Sequence, residues 1–422
     1  MMGLFISLVL SAAISLRGAS RVLELVGTVF ALPEAAPAWY TGRLWVLRVG
    51  YYKLTRPKAQ AADWVWIIDH TIQLGEQKCL VILGVRLSAL PPPGTCLRHE
   101  HVEPIALYPV QTSTGAVVYQ QLTEALASTG VPREILSDGG SDLQAGITQF
   151  QQAHPETCAI YDIKHKTALV LKHELAQDAQ WRAFSQQAAQ TKPRVQQTPL
   201  AFLAPPAQRR KARYMNVDIL IRWGTKVLAY LTTPRQAGKE AVSVEQLRAA
   251  YGWVADFRGS LQTWEELLQI VDTIEHWVRS QGLVPGCVHT LAPHVTALVR
   301  TARGHRVAQD LLAFVDTESA KAVPHERLLG SSEVIESVFG TLKRLEHQQA
   351  HSGFTGLVLA AGALVSTTTH EVIHKALETV STAQVRQWCQ QHLGPSVQAQ
   401  RQQAFRQRKP EEEIRSHFQQ AA

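Results

Sequence analysis

The stretch Trp64–Thr71 reads WVWIIDHT, and Arg133–Leu143 reads REILSDGGSDL. Each is a short apolar run that ends on an aspartate, Asp69 in the first and Asp138 in the second. Apolar runs of this length, bounded by glycines and polar residues, have the pattern of strands buried on both faces. The segments around them extend the theme. Gln77–Leu87 (QKCLVILGVRL) predicts a second strand, and Pro91-Pro92-Pro93-Gly94 predicts a turn. Pro104–Val110 (PIALYPV) predicts a third strand near a sheet edge, because proline cannot donate to a ladder. Thr114–Thr129 predicts a helix with Val117, Val118, Leu122, Ala125 and Leu126 on one face. Arg133–Ser137 is a fourth strand, Gly146–Ala153 a helix and Thr157–Asp162 a fifth strand. Three strands, a helix, a strand, a helix and a strand predict α/β packing.

A third stretch, Gly330–Arg344, reads GSSEVIESVFGTLKR. Gly330 and Ser331 offer a break and an N-cap. Val334, Ile335, Val338, Phe339 and Leu342 then recur at helical spacing and form one apolar stripe. At about 100° per residue, Glu336 borders that stripe, while Glu333, the alternative carboxylate, lies further towards solvent. Lys343 follows Glu336 by two turns and projects the same way.

Taken together, the three stretches resemble the Asp–Asp–Glu (DDE) catalytic core of insertion-sequence transposases, which share the ribonuclease H-like fold with retroviral integrases. The resemblance covers residues 62–168 and 326–345. It implies an α/β ribonuclease H-like core with a mixed five-stranded sheet. It matches Asp69, Asp138 and Glu336 to the catalytic, metal-holding carboxylates, and Lys343 to a lysine that contacts the DNA end. The run S-S-x-x-x-E-S around Glu336 resembles families that read Ser/Thr-x-x-x-Glu-Ser. Some of these families also place a Tyr and an Arg shortly before the Glu, where this chain has Leu329 and Ser332. The implied cofactor is a pair of Mg2+ (or Mn2+) ions about 4 Å apart, held by hard carboxylate oxygens. The implied reaction is strand cleavage at transposon ends followed by strand transfer. The implied partners are terminal inverted repeats and target DNA, with a homodimer formed on the DNA. Two other readings remain open: a transposase-derived DNA-binding protein without catalysis, and a non-transposing nuclease on the same fold.

The separation of Asp138 from Glu336 far exceeds one crossover connection, so an inserted domain is expected. The pattern between them is helical. The expected organisation is therefore a helical segment over 1–60, the first part of the core over 61–168, an all-helical insertion over 169–325, and the Glu336 helix with further helices over 326–422. In the first segment Arg17 and Arg21 sit among apolar residues at helical spacing. Trp39–Leu54 forms a second helical element with Arg43, Arg48 and Lys53. Short basic helices suit a helix-turn-helix with Arg17 and Arg21 on DNA; the other reading is a structural cap on the core. His165 and Lys166, after the fifth strand, are candidates for phosphate contact, or simply a solvated loop. Lys192–Gln208 reads as a linker, followed by the basic run Arg209, Arg210, Lys211 and Arg213. Trp223, Trp253 and Trp264 read first as core and second as base-stacking platforms.

Composition narrows the class. The 422 residues carry 45% hydrophobic residues and a net charge of +7, enough for packed cores and favourable to a polyanionic partner. Cys79, Cys96, Cys158, Cys287 and Cys389 contain no C-x-x-C pair and are odd in number, which argues against a disulfide framework or a cysteine zinc site and for a reducing compartment. MMGLFISLVLSA at the start lacks the basic residues that precede a signal-peptide core. No other stretch approaches the roughly 20 apolar residues of a membrane span. The expected location is a bacterial-type cytoplasm at the nucleoid, with no membrane partner.

Overall fold

A computed structural model of the chain describes residues 1–71, 78–207, 217–232, 243–348, 355–395 and 397–406. The basic run at Arg209, Arg210, Lys211 and Arg213, most of the charged tail Arg406–Arg415, and Gln77 lie outside the described residues. The chain divides into two compact units. The first comprises Met1–Pro91, Leu97–Ala159 and Ser332–Ala422, and the second Pro92–Cys96 and Ile160–Ser331.

The first unit opens with helices α1 (Met2–Leu10), α2 (Leu16–Val29) and α3 (Trp39–Thr55). Strands β1 (Trp64–His70), β2 (Lys78–Arg86) and β3 (Glu103–Val110) follow, then α4 (Gly115–Thr129), β4 (Glu134–Ser137), α5 (Ser141–Ala153) and β5 (Cys158–Tyr161). The five strands form one mixed sheet in the order β3-β2-β1-β4-β5. Thus β3, with Pro104 and Pro109, lies at the edge as its prolines require. β1 runs antiparallel to β2 and parallel to β4. Residues Trp64 to Ile68 are all buried, which explains why β1 reads as a continuous apolar run rather than an alternation. One face of the sheet packs Trp64, Trp66, Ile68, Leu80, Ile82 and Ile135 against Val118 and Leu122 of α4 and Leu143, Ile147 and Phe150 of α5. α5 starts at Ser141, five residues before the sequence expectation, because helical geometry is already taken up directly after Gly140.

The second unit contains α6 (Ile163–Ala176), α7 (Ala179–Val195), α8 (Val217–Thr232), α9 (Val244–Tyr251), α10 (Arg258–Gln281), α11 (Cys287–Thr296) and α12 (Ala302–Ser319). The expected linker from Lys192 is corrected at its start. α7 continues through Lys192 and Pro193 to Val195, because Trp181, Phe184, Ala188, Thr191 and Val195 form an unbroken buried stripe. Trp264 is fully buried, with its ring edge-on to Trp181 at 5.1 Å and its Nε1 donating to Asp178 at 3.1 Å. Half-buried Trp253 and Trp223 join the same aromatic cluster around Phe184. These tryptophans are core residues of the helical unit.

The chain returns to the first unit with α13 (Glu333–His347), α14 (Ala360–Leu364), α15 (His370–Thr379), α16 (Thr382–Leu393) and α17 (Val397–Arg406). α13 starts after Ser332 rather than after Ser331. The N-terminal helices are built into this C-terminal layer, since α3 packs on α14, α15 and α16. Gly50 of α3 makes the approach possible. A Cβ there would stand 1.9 Å from the Leu359 carbonyl oxygen, and opposite it a Cβ on Gly362 would stand 2.7 Å from the Gly50 carbonyl oxygen.

Two cations of α3 close the ends of those helices. Arg48 donates to the carbonyls of Leu377 and Val380 at the end of α15. Lys53 is fully buried, and its Nζ donates to the carbonyls of Ala363 (3.4 Å), Val365 (2.7 Å) and Ser366 (2.9 Å) and to Thr368 Oγ1 (2.6 Å). Carbonyls at a helix end have no intrahelical partner, so a buried ammonium supplies the missing donors. Burial, aided by Arg56 and opposed by Glu103, lowers the Lys53 pKa to about 7.

Replacing Lys53 with Met is expected to destabilise the protein by about 3 kcal/mol, because the buried carbonyls lose their donor. Denaturant unfolding measures this. In the native chain the unfolded state holds the Lys53 proton up to the ordinary value of 10.5, whereas the folded state releases it near 7. Unfolding therefore takes up a proton between these values, and this residue makes stability rise with pH across that window. Lys53→Met removes that part of the slope.

Candidate active site

The pairing of β1 with β4 decides where the two aspartates lie. Ile68 is the parallel partner of Ser137. The next residues along each chain, Asp69 and Asp138, therefore occupy the carboxyl ends of neighbouring strands, which run about 4.8 Å apart. Side chains alternate along a strand. Trp64, Trp66 and Ile68 face α4 and α5, so Asp69 is directed to the opposite face. Ile135 shares the α5 face, which by the same alternation sends Leu136 and Asp138 to Asp69's side. α13 packs on β1. It does so with Val334, Ile335, Val338 and Leu342 buried, while Glu333 and Glu336 lie half-buried in its first turn.

Local hydrogen bonds hold both aspartates. Asp69 accepts at Oδ1 from the His70 backbone N–H at 2.6 Å, and Asp138 accepts at Oδ1 from the Gly140 N–H at 2.9 Å. The turn after Asp138 needs its glycine, since Gly139 has a φ of 74°. Ser337, directly after Glu336, is met by His99 Nε2 at 3.0 Å. The carbonyl of His99 accepts from the Ser366 N–H at 2.8 Å, and burial pulls the His99 imidazole below its usual pKa. Lys343 is exposed on α13.

Asp69, Asp138, Glu336 and Lys343 thus belong to one unit and to elements at β1, β4 and α13. Among the described residues, no group of three or more His, Cys, Asp or Glu side chains is arranged to hold a metal ion. The three carboxylates are therefore not closed into one cluster. Their donor chemistry nevertheless fits a hard divalent cation, which takes one or two carboxylates and completes its shell with water and phosphate oxygens.

The remaining sequence candidates fall elsewhere. Arg17 and Arg21 are exposed on α2, and Arg17 lies 5.2 Å over the Trp39 ring. His165 and Lys166 belong to the helical unit at the start of α6, where both are engaged. Asp162 accepts from the His165 N–H at 2.9 Å and lies 3.1 Å from its Nδ1, so it caps α6. Lys166 pairs with Asp310 at 2.9 Å and lies over Phe314. The solvated loop expected there is a helical turn instead, because the buried Asp162 supplies the N-cap.

No protein-family model matches the chain, and no curated protein matches it. Among solved structures it is similar to a chain of the Drosophila P element transposase strand transfer complex, at 11% identity and a TM-score of 0.43, covering 88% of this chain and 92% of that one. No helix among the described residues is long and apolar enough to cross a membrane.

No sequence motif singles out Lys78, Ser113 or Asp142. These residues gather at the sheet end that carries the aspartates. The register places Lys78 opposite Val110 and His70 opposite Leu80, so the ends of β1, β2 and β3 meet there. Only the strand order reveals this, and no residue spacing encodes it. Gly139→Ala is expected to cost about 1–2 kcal/mol because alanine resists the left-handed conformation. Urea denaturation checks it, and an unchanged midpoint would mean that the turn after Asp138 relaxes freely.

Proposed function

We propose that this protein is a DNA-processing phosphoryl transferase of the DDE transposase kind, cleaving DNA at element ends and joining the freed 3′ hydroxyl to target DNA. The observation that carries the reading is the pair Asp69 and Asp138 at the ends of neighbouring parallel strands, with the Glu336 helix packed on β1. The strand order β3-β2-β1-β4-β5, with β2 antiparallel to β1 and β3 and with β1 parallel to β4, is also the arrangement expected of a ribonuclease H-like core. The net charge of +7 favours a polyanionic substrate.

Each residue then has a defined task. Asp69 and Asp138 are the residues that would hold magnesium or manganese, with Glu336 as the third carboxylate. The chemistry such ions supply when bound is activation of the attacking oxygen and neutralisation of charge at the scissile phosphate. Glu336 lies in the first turn of α13. Lys343, exposed two turns along the same helix, offers a cation to the DNA end. Arg17 and Arg21 offer further phosphate contacts from α2. His165 and Lys166 would have to leave Asp162 and Asp310 to do so. Synapsis of two ends calls for a dimer on DNA, and the expected setting is a bacterial-type cytoplasm.

The test is cleavage of end-sequence DNA with magnesium by the native protein and by Asp69→Asn, Asp138→Asn and Glu336→Gln. Each substitution is expected to lower cleavage by at least about a thousandfold, as loss of several kcal/mol of transition-state stabilisation requires, while DNA binding stays within about threefold. Full cleavage by Asp138→Asn contradicts the assignment. DNA binding with no cleavage by the native protein would favour a catalytically inactive binding protein. Cleavage without end specificity or joining would favour a nuclease on the same fold.

A further inference from the structure

The sheet end that carries Asp69 and Asp138 also holds a polar network that the proposed reaction does not use. At its centre is Asp142, in the first turn of α5, half-buried. Its Oδ1 accepts from the Leu143 N–H at 3.1 Å. Its Oδ2 lies 3.5 Å from Lys78 Nζ, at the start of β2, and 3.9 Å from His70 Nδ1, at the end of β1. The other ring nitrogen of His70, Nε2, lies 3.2 Å from Ser113 Oγ, just beyond β3. Burial alone would raise the Asp142 carboxyl, but Ser113, His70, Lys78 and the Leu143 N–H together hold it below its ordinary range. The network therefore joins a carboxylate, a lysine, an imidazole and a hydroxyl at one sheet end.

The placement of these partners is specific. His70 is the residue after Asp69, and Asp142 follows Asp138 across the Gly139-Gly140 turn. A Cβ on Gly140 would meet the Oδ1 atoms of Asp138 and Asp142, each at 3.4 Å, so the two carboxylates flank that turn closely.

We propose that Asp142 is a positioning residue for the carboxylate pair: it ties the end of β1 through His70, the start of β2 through Lys78 and the segment after β3 through Ser113 to the first turn of α5, and so fixes Asp69 against Asp138. The proposal deepens the phosphoryl-transfer reading and rests on it for the role of the pair. Asp142 itself touches no reacting atom.

The test compares the native chain with Asp142→Ala and Asp142→Asn by amide hydrogen exchange and by titration with magnesium alone, without DNA. In Asp142→Ala, exchange at His70, Gly139 and Gly140 is expected to accelerate at least tenfold, while amides of α13 and of the helical unit keep their native rates. Half-saturation by magnesium is expected to weaken by about 10–100-fold, the usual effect of losing a group that orients metal ligands. Asp142→Asn keeps the acceptor for the Leu143 N–H and loses the charge, so it should fall between the two. Unchanged exchange at those three amides in both variants overturns the proposal. Exchange accelerated throughout the first unit in both variants also overturns it, because Asp142 would then be a general stabiliser. A native chain that neither binds magnesium nor cleaves DNA removes the phosphoryl-transfer reading, while the exchange pattern still decides whether Asp142 holds these strand ends together.

Discussion

The parallel pairing of β1 with β4 is the constraint on which the site depends. Parallel strands cannot be joined by a tight turn, so the chain must pass through β2, β3 and α4 before it can lay β4 beside β1. That detour places two distant aspartates at the same sheet end, one residue beyond the paired positions Ile68 and Ser137. α13, which packs on β1, arrives only after the helical unit has been completed. The long separation of Asp138 from Glu336 is thus bridged by a folded unit, with its own aromatic core around Phe184 and Trp264.

The first unit also depends on its two chain ends meeting. α3 contributes little from its own amphipathic pattern, since it is contacted on several sides. Its stability comes from tertiary partners: Gly50 lets it approach α14 closely, and Arg48 and Lys53 supply donors to helix ends that would otherwise be buried without them. α3 is therefore packed into the first unit against α14, α15 and α16. The exposed Arg17 and Arg21 lie on α2, further from that layer.

Much of this arrangement was legible in the sequence. The continuous apolar runs ending at Asp69 and Asp138 mark buried strands because both faces of β1 and β4 are covered. The two prolines of β3 mark an edge because only an edge strand tolerates missing donors. The stripe from Val334 to Leu342 marks α13 for the same periodic reason. Other features were not legible. Pro193 suggested a break, but the buried stripe of α7 extends past it and the missing donor falls within the last turn. Lys53 reads in sequence as one more basic residue of its helix, and only the arrival of α14 makes it a buried donor. Asp142, Lys78 and Ser113 are far apart in the chain, and strand order alone brings them to one place. The sequence likewise carries no sign of how near the carboxylate of Glu336 comes to the aspartate pair.

The central claim is that Asp69 and Asp138 form a cation-holding pair. The most direct measurement is a crystal structure grown with manganese, with the ion located by its anomalous scattering. The account predicts an ion bound inner-sphere to both carboxylates at about 2.1 Å, with Glu336 closing towards it. A structure in which manganese binds elsewhere, or in which Asp69 and Asp138 share no ion, would contradict it.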